Sequence, residues 1–253
     1  MSVLEVEGLA KSYGGVQALD GVSFVVGAGE LLALIGPNGA GKSTCFNIVD
    51  GQIRPDRGTV RLAGREVTGL PPRRMARLGV GRTFQIAAVF DSLTVIENVQ
   101  AALIAARRQT FALWRPAATI AREEAQHLLE QTGMAAHAGR PASELAYGDV
   151  KRLELAMAIA SEPLLLLMDE PTAGMAPAER LALIELVKRL TRSRGLAVLF
   201  TEHSMDVVFG HADRVVVLAG GQIVASGDVD AIRADPQVRA LYLGTGRAAG
   251  GRA

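Results

Sequence analysis

The chain has 253 residues, 49% hydrophobic and 21% charged, enough apolar material to fill a large core without disulfides or metal and too much for disorder. Lys and Arg number 27 against 26 Asp and Glu, a net charge of +1 scattered along the chain rather than gathered into a stripe, which argues against a nucleic-acid surface. The single cysteine, Cys45, cannot close an internal disulfide and reads as a small apolar residue in a reducing compartment. The opening MSVLEVEGL has neither the basic nor the apolar region of a secretory leader, and no apolar run approaches the ~18 to 20 residues needed to span a bilayer. A cytoplasmic chain is expected, with any membrane work falling to a partner.

Residues 1–35 read as strands: LEVEGL, ALDGVSFVV, the turn GAGE and the apolar run LLALIG. A glycine-rich loop follows, and KSTCFNIVD has helical spacing that stops at Gly51. Strand-like pieces return in GTVRLAG and LGVGRTFQ. From about Val89 to Gly139 the composition turns rich in Ala, Leu, Arg and Glu, which predicts a helical subdomain inserted into an α/β core. LLLLMD and LAVLFTE are short continuous apolar runs, the pattern of parallel strands buried on both faces. Between them PAERLALIELVKRLTRSRG begins with Pro177, carries Glu179 in its first turn, ends in basic residues and stops at Gly195, as a crossover helix does. RVVVLAGGQIVASG predicts a hairpin around Gly220 and Gly221, and PQVRALYLG a last short helix. The expected division is a core of residues 1–88 and 140–243 with an N-terminal β subdomain, a helical insert of residues 89–139, and a loose tail of residues 244–253.

Two stretches carry chemistry. Gly36, Pro37, Asn38, Gly39, Ala40, Gly41, Lys42, Ser43 and Thr44 fit G-x-x-x-x-G-K-[ST] between an apolar strand and a helix. Glycines let the backbone wrap phosphates, N–H groups at the helix start supply positive potential, Lys42 reaches the outer phosphates, and Ser43 offers a hydroxyl to Mg²⁺. The apolar run from Leu164 to Met168 delivers Asp169 and Glu170 at its end, where ligands of open α/β sheets sit. Packing gives no reason for adjacent carboxylates there. Asp169 is expected to hold Mg²⁺, directly or through water, and Glu170 to orient or deprotonate an attacking water. Loop and acids together specify a P-loop NTPase core.

Further landmarks stand in the order found in ATP-binding cassette (ABC) ATPases and cover nearly the whole chain. Tyr13 resembles the aromatic residue that stacks on adenine in that family. Gln85, in GRTFQ, resembles the glutamine whose amide touches Mg²⁺ and the attacking water, and His203 the histidine that hydrogen-bonds the γ-phosphate. His127, His137 and His211 lack such context. Leu145, Ala146, Tyr147, Gly148 and Asp149 resemble the signature sequence, commonly LSGGQ, but Ala146 replaces the hydroxyl, Tyr147 a glycine and Asp149 the amide. Asp149 either caps the following helix or sets an anion near phosphate charge. In this family one subunit's signature completes the ATP site of the other, so the resemblance implies a homo- or heterodimer. Residues 173–176 then occupy the place of the loop that crosses the interface.

The form LAYG, the run KRLELAMAIA, the segment GRTFQIAAVFDSLTVIENV and the ending VRALYLG are similar to ATP-binding subunits of branched-chain amino-acid importers. That resemblance implies transmembrane permease subunits, an indirectly coupled solute-binding protein, and a place on the inner face of the bacterial plasma membrane. It also makes Phe84, Phe90 and Leu93 candidate walls of a groove for a permease helix, or else simply core. The alternatives are a lipopolysaccharide-export ATPase and a soluble ABC ATPase of DNA repair or translation, the latter usually carrying a coiled coil or two cassettes. A P-loop kinase would leave Gln85, the signature and His203 unexplained.

Overall fold

The architecture rests on two-residue alternation inside four strands whose buried stretches are continuously apolar. A computed structural model describes residues 1–83, 89–107 and 121–243. In strand β3 (Leu31–Ile35), Leu31, Ala33 and Ile35 enter one buried cluster and Leu32 and Leu34 another. The same split divides β7 (Leu165–Asp169), β8 (Ala197–Thr201) and β9 (Arg214–Ala219). Side chains one residue apart leave opposite faces, so a strand apolar at every position must be covered on both.

With β6 (Val80–Thr83) and β10 (Gln222–Gly227), these strands form a six-stranded sheet in the order β10-β9-β3-β8-β7-β6. Its strands pair in parallel except β10 with β9. That antiparallel pair turns at Gly220 and Gly221, where the hairpin is expected.

A second, four-stranded antiparallel sheet covers one face, in the order β2-β1-β4-β5. Its strands are β1 (Ser2–Tyr13), β2 (Val16–Gly27), β4 (Arg57–Leu62) and β5 (Arg65–Glu66). β1 and β2 are longer than their sequence patches suggest, and turn at Gly14 and Gly15, which both have positive φ. Helix α1 (Lys42–Val49) lies between the sheets, with Cys45 and Phe46 fully buried. Burial pushes the Cys45 thiol up to about 12, so it behaves as the apolar residue expected.

Helices cover the other face. After α2 (Pro72–Arg77), α3 (Val95–Ala106), α4 (Arg122–Gln131) and α5 (Tyr147–Ile159) pack on one another and on α6 (Pro177–Arg194) in a shared core. A capping box between Thr94 and Glu97 starts α3. The chain entering α3 pairs with the chain leaving the helical stretch: Val95 N–H donates to Arg140 O, and Ala142 N–H to Leu93 O, both at 2.9 Å. α6 spans the crossover between β7 and β8 and ends on left-handed Gly195. Three short helices close the chain, α7 (Met205–His211), α8 (Val229–Ala234) and α9 (Pro236–Leu243). Of these only α9 stands out in the sequence. No described helix is long and apolar enough to cross a membrane.

Candidate nucleotide site

Three strand ends build the site. β3, β8 and β7 lie side by side, and neighbouring strands sit ~4.8 Å apart. The loop after β3, the Thr201–His203 segment after β8 and the acids ending β7 therefore emerge within about 10 Å of one another on the carboxyl edge of the sheet. They line one recess of about 210 Å³, shared by Asn38 to Thr44, Asp169, Glu170, His203 and Ala18 of β2.

The loop has its shape because glycine is required at two close approaches. A Cβ on Gly36 would lie 2.2 Å from the Leu218 carbonyl oxygen. One on Gly41 would lie 2.4 Å from that of Ala18, and Gly41 has φ 104°. Gly41 also begins α1 with no side-chain cap, so the first N–H groups of the helix face the recess uncapped. Lys42 Nζ lies across the loop, donating to Gly36 O at 2.7 Å and Pro37 O at 3.2 Å. Burial pulls this amine below the usual lysine value, while the charges of Glu170 and Asp169 act in the opposite direction. Ser43 is exposed at the mouth.

The acids are held in different ways. Asp169 Oδ1 accepts the Thr201 hydroxyl at 2.7 Å, and its Oδ2 lies 3.7 Å from Arg82 Nη2. Arg82, on β6, also donates to Asn47 Oδ1 at 3.0 Å and Asp50 Oδ2 at 2.9 Å, tying Asp169 to the end of α1. Glu170 sits in the left-handed region at φ 48°, a conformation that costs a side-chain-bearing residue about 1–2 kcal/mol. Its N–H is held by Thr201, through O at 3.2 Å and Oγ1 at 3.0 Å. His203 Nε2 stands 2.8 Å from Glu170 Oε1, within hydrogen-bond reach.

Of the other expected site residues that are described, none lines the recess. Tyr13 ends β1, 45% exposed, and does not line the recess; it pairs with Val16, two residues before Ala18, which does. Lys11 Nζ stands 5.7 Å from its ring centroid. Gln85 and Phe84 fall outside the described residues, as does the tail of residues 244–253. Phe90 is 55% exposed and Leu93 half-buried. The signature stretch is not at the recess. Leu145 precedes α5, Ala146 is its N-cap, and no side-chain hydrogen bond caps this helix; Asp149 sits in its first turn, so the capping role open to Asp149 is not taken up. Gly148 is buried against the Glu179 carboxylate, and the Tyr147 hydroxyl donates to Ala173 O at 3.2 Å. Arg82, Thr201 and Glu202 escaped the sequence reading. Their signal was polar residues placed in or just after apolar strands, the same signal that marked Asp169 and Glu170.

A Mg²⁺ ion fits this donor set. The Ser43 hydroxyl and the Asp169 carboxylate both line the recess beside the phosphate-type loop, and no group of three or more His, Cys, Asp or Glu among the described residues forms a metal cage. Magnesium held by one or two protein oxygens, with phosphate oxygens and water completing its octahedron, matches that arrangement.

Comparison with known proteins agrees with the geometry. The ABC transporter family model matches residues 19–173, and that of the branched-chain amino acid ATP-binding cassette transporter matches residues 222–248. The high-affinity branched-chain amino acid transport ATP-binding protein LivG of Salmonella typhimurium is 41% identical over 250 residues, covering 96% of this chain and 98% of that protein. The high-affinity branched-chain amino acid transport ATP-binding protein BraF of Pseudomonas aeruginosa is 39% identical over 250 residues, covering 96% of this chain and 98% of that protein. Among solved structures, the ADP conformation of an ATP-binding cassette of an ABC transporter superposes with TM-score 0.86 at 32% identity, covering 96% of this chain and 99% of that one. A nucleotide-free cassette does so with TM-score 0.83 at 31% identity and the same coverage. The chain belongs to the ABC transporter family and is one of its ATPase cassettes, similar along nearly its whole length to ATP-binding proteins of branched-chain amino-acid transport.

Proposed function

We propose that this cassette binds Mg-ATP in the recess and hydrolyses it to power uptake of branched-chain or related amino acids through transmembrane permease subunits. The observation that carries the reading is the convergence of Lys42, Asp169, Glu170 and His203 on one recess around the Gly36–Thr44 loop. The loop N–H groups and Lys42 take the phosphate charge. Ser43 and Asp169, with Gln85 as a further proposed ligand, would hold Mg²⁺, which would supply charge neutralisation at the phosphate oxygens. Glu170 orients the attacking water and accepts its proton, and His203 holds Glu170 through Nε2 and faces the γ-phosphate. Tyr13, whose ring is exposed at the end of β1, is the residue proposed to stack on adenine.

Two copies, or this chain and a related one, close on two nucleotides, each presenting Leu145 to Asp149 to the other's ATP. ATP must bind the closed pair better than the open one, since equal affinity would shift nothing. Residues 89–139 act as the inserted helical subdomain that meets the permeases, at the cytoplasmic face of the membrane. A solute-binding protein delivers cargo to the permeases, and the cassette touches no nucleic acid. The amino-acid reading draws on the two relatives and on the match over residues 222–248.

Glu170→Gln is the direct test. It keeps ATP affinity within about threefold while lowering turnover at least ~10²-fold, the loss expected for a positioned base; near-normal turnover removes Glu170 from the role. For the transport step, co-purified permease subunits in vesicles should accumulate labelled leucine with ATP and not with the Gln variant. Accumulation independent of ATP contradicts the coupling.

A further inference from the structure

Glu202 follows β8 and is only 4% exposed. A buried carboxyl group needs donors in place of the water it has lost. Three donors converge on this one. Oε1 accepts the Thr172 N–H at 3.0 Å and the Thr172 hydroxyl at 2.6 Å, and Oε2 accepts the His203 N–H at 3.1 Å. Thr172 is itself 1% exposed and lies two residues after Glu170. The His203 ring meets Glu170 at 2.8 Å. One carboxyl group therefore staples together the two backbone segments that carry the Glu170–His203 pair.

The staple acts on a turn that also carries an internal bond, Ala173 N–H to Glu170 O at 3.1 Å. Glu170, at φ 48°, occupies a backbone region that a residue with a side chain keeps only when its surroundings impose it. Upstream, the Glu170 N–H is gripped by Thr201. Downstream, Thr172 is gripped by Glu202. The two grips come from consecutive residues at the end of one strand, so β8 sets the turn from both sides.

We infer that Glu202 is a positioning residue for hydrolysis: it fixes where the Glu170 carboxylate points relative to His203 and the recess without touching the nucleotide. The inference rests on the reading of Glu170 as the residue that orients the attacking water. Misplacing a reacting group by a fraction of an ångström slows chemistry while leaving nucleotide binding in place.

Glu202→Gln separates this role from a merely structural one. The amide keeps one acceptor, but its NH₂ then faces an N–H donor, so one grip is lost at constant shape. The expected result is kcat lower by about tenfold with KM for ATP within about twofold. In single-turnover hydrolysis, adding Glu202→Gln to Glu170→Gln should change the rate by less than about twofold, because the group being positioned is already gone. An unchanged kcat in a folded Glu202→Gln protein, or the same tenfold loss in both backgrounds, overturns the inference. Should Glu202→Gln not fold, Thr172→Val, which loses the hydroxyl, and Thr172→Ser, which keeps it, decide the matter: Val lowers kcat and Ser retains it, and equal activities overturn the role. Parent-like turnover in Glu170→Gln alone would instead sink the assignment of Glu170, whatever Glu202 does.

Discussion

α1 and α5 both begin without a side-chain cap, and the difference between these two helix starts says what each can hold. Uncapped N–H groups are a natural anion site, so both ends are available to phosphate. α1 has no acid in its first turn, opens on Lys42, and follows a loop wedged against the carbonyls of Ala18 and Leu218. α5 has Asp149 in its first turn, an alanine as N-cap, and exposed Tyr147 tethered by one hydrogen bond to Ala173 O. The first is rigid and electropositive by itself. The second offers N–H groups beside a negative charge, which suits a contact made only when a partner's nucleotide is brought to it.

The largest effect that would break this comparison is at Lys42. Lys42→Ala removes a charge-assisted phosphate contact of about 2–3 kcal/mol, and together with the loss of charge in a half-dry recess ATP affinity should fall at least ~10²-fold in calorimetry. Affinity close to the parent's would mean that α1 does not hold phosphate. Next comes Gly41→Ala, which forces a Cβ against Ala18 O at positive φ; about 2–4 kcal/mol of stability should go, read as a fall of roughly 5–15 °C in Tm.

Smaller effects sharpen the other side. Ala146→Ser supplies the missing N-cap, worth about 1 kcal/mol and roughly 2–4 °C in Tm. An unchanged Tm would show that the start of α5 is already satisfied by other donors and acceptors. The smallest change is Asp149→Asn. It removes a favourable charge from the positive end of α5, costing about 0.3–1 kcal/mol of stability, yet should strengthen ATP-dependent association of two cassettes measured by ultracentrifugation. Weaker association would place Asp149 on the attractive side of that contact.

Much of the core is legible in the sequence because the determining forces are local or periodic. LLLLMD and LAVLFTE announce strands buried on both faces, and Pro177 and Gly195 bracket α6 where they stand. The loop motif is legible for the same reason, since its glycines answer a backbone demand at fixed spacing. The short helices α2, α7 and α8 are not, having too few turns for a period to show. Nor is the β1–β2 turn at Gly14 and Gly15, since the strand patches legible in the sequence stop short of it at Leu9 and Ala18. Tyr13, read by resemblance beside the nucleotide, is exposed at the end of β1 and is not in the lining of the recess.

What the sequence determined by itself was the buried strands, the glycine-rich loop and the crossover helix, and which residues sit at those strand ends, because propensity, period and glycine demand act over a few residues. Only the tertiary structure decided that β8 lies between β3 and β7, and so that Thr201 and Glu202 brace the acids of another strand while Arg82 ties Asp169 to α1. Strand order is set by long-range packing of both sheet faces, and a hydrogen bond between residues 30 or more positions apart leaves no periodic trace in either segment.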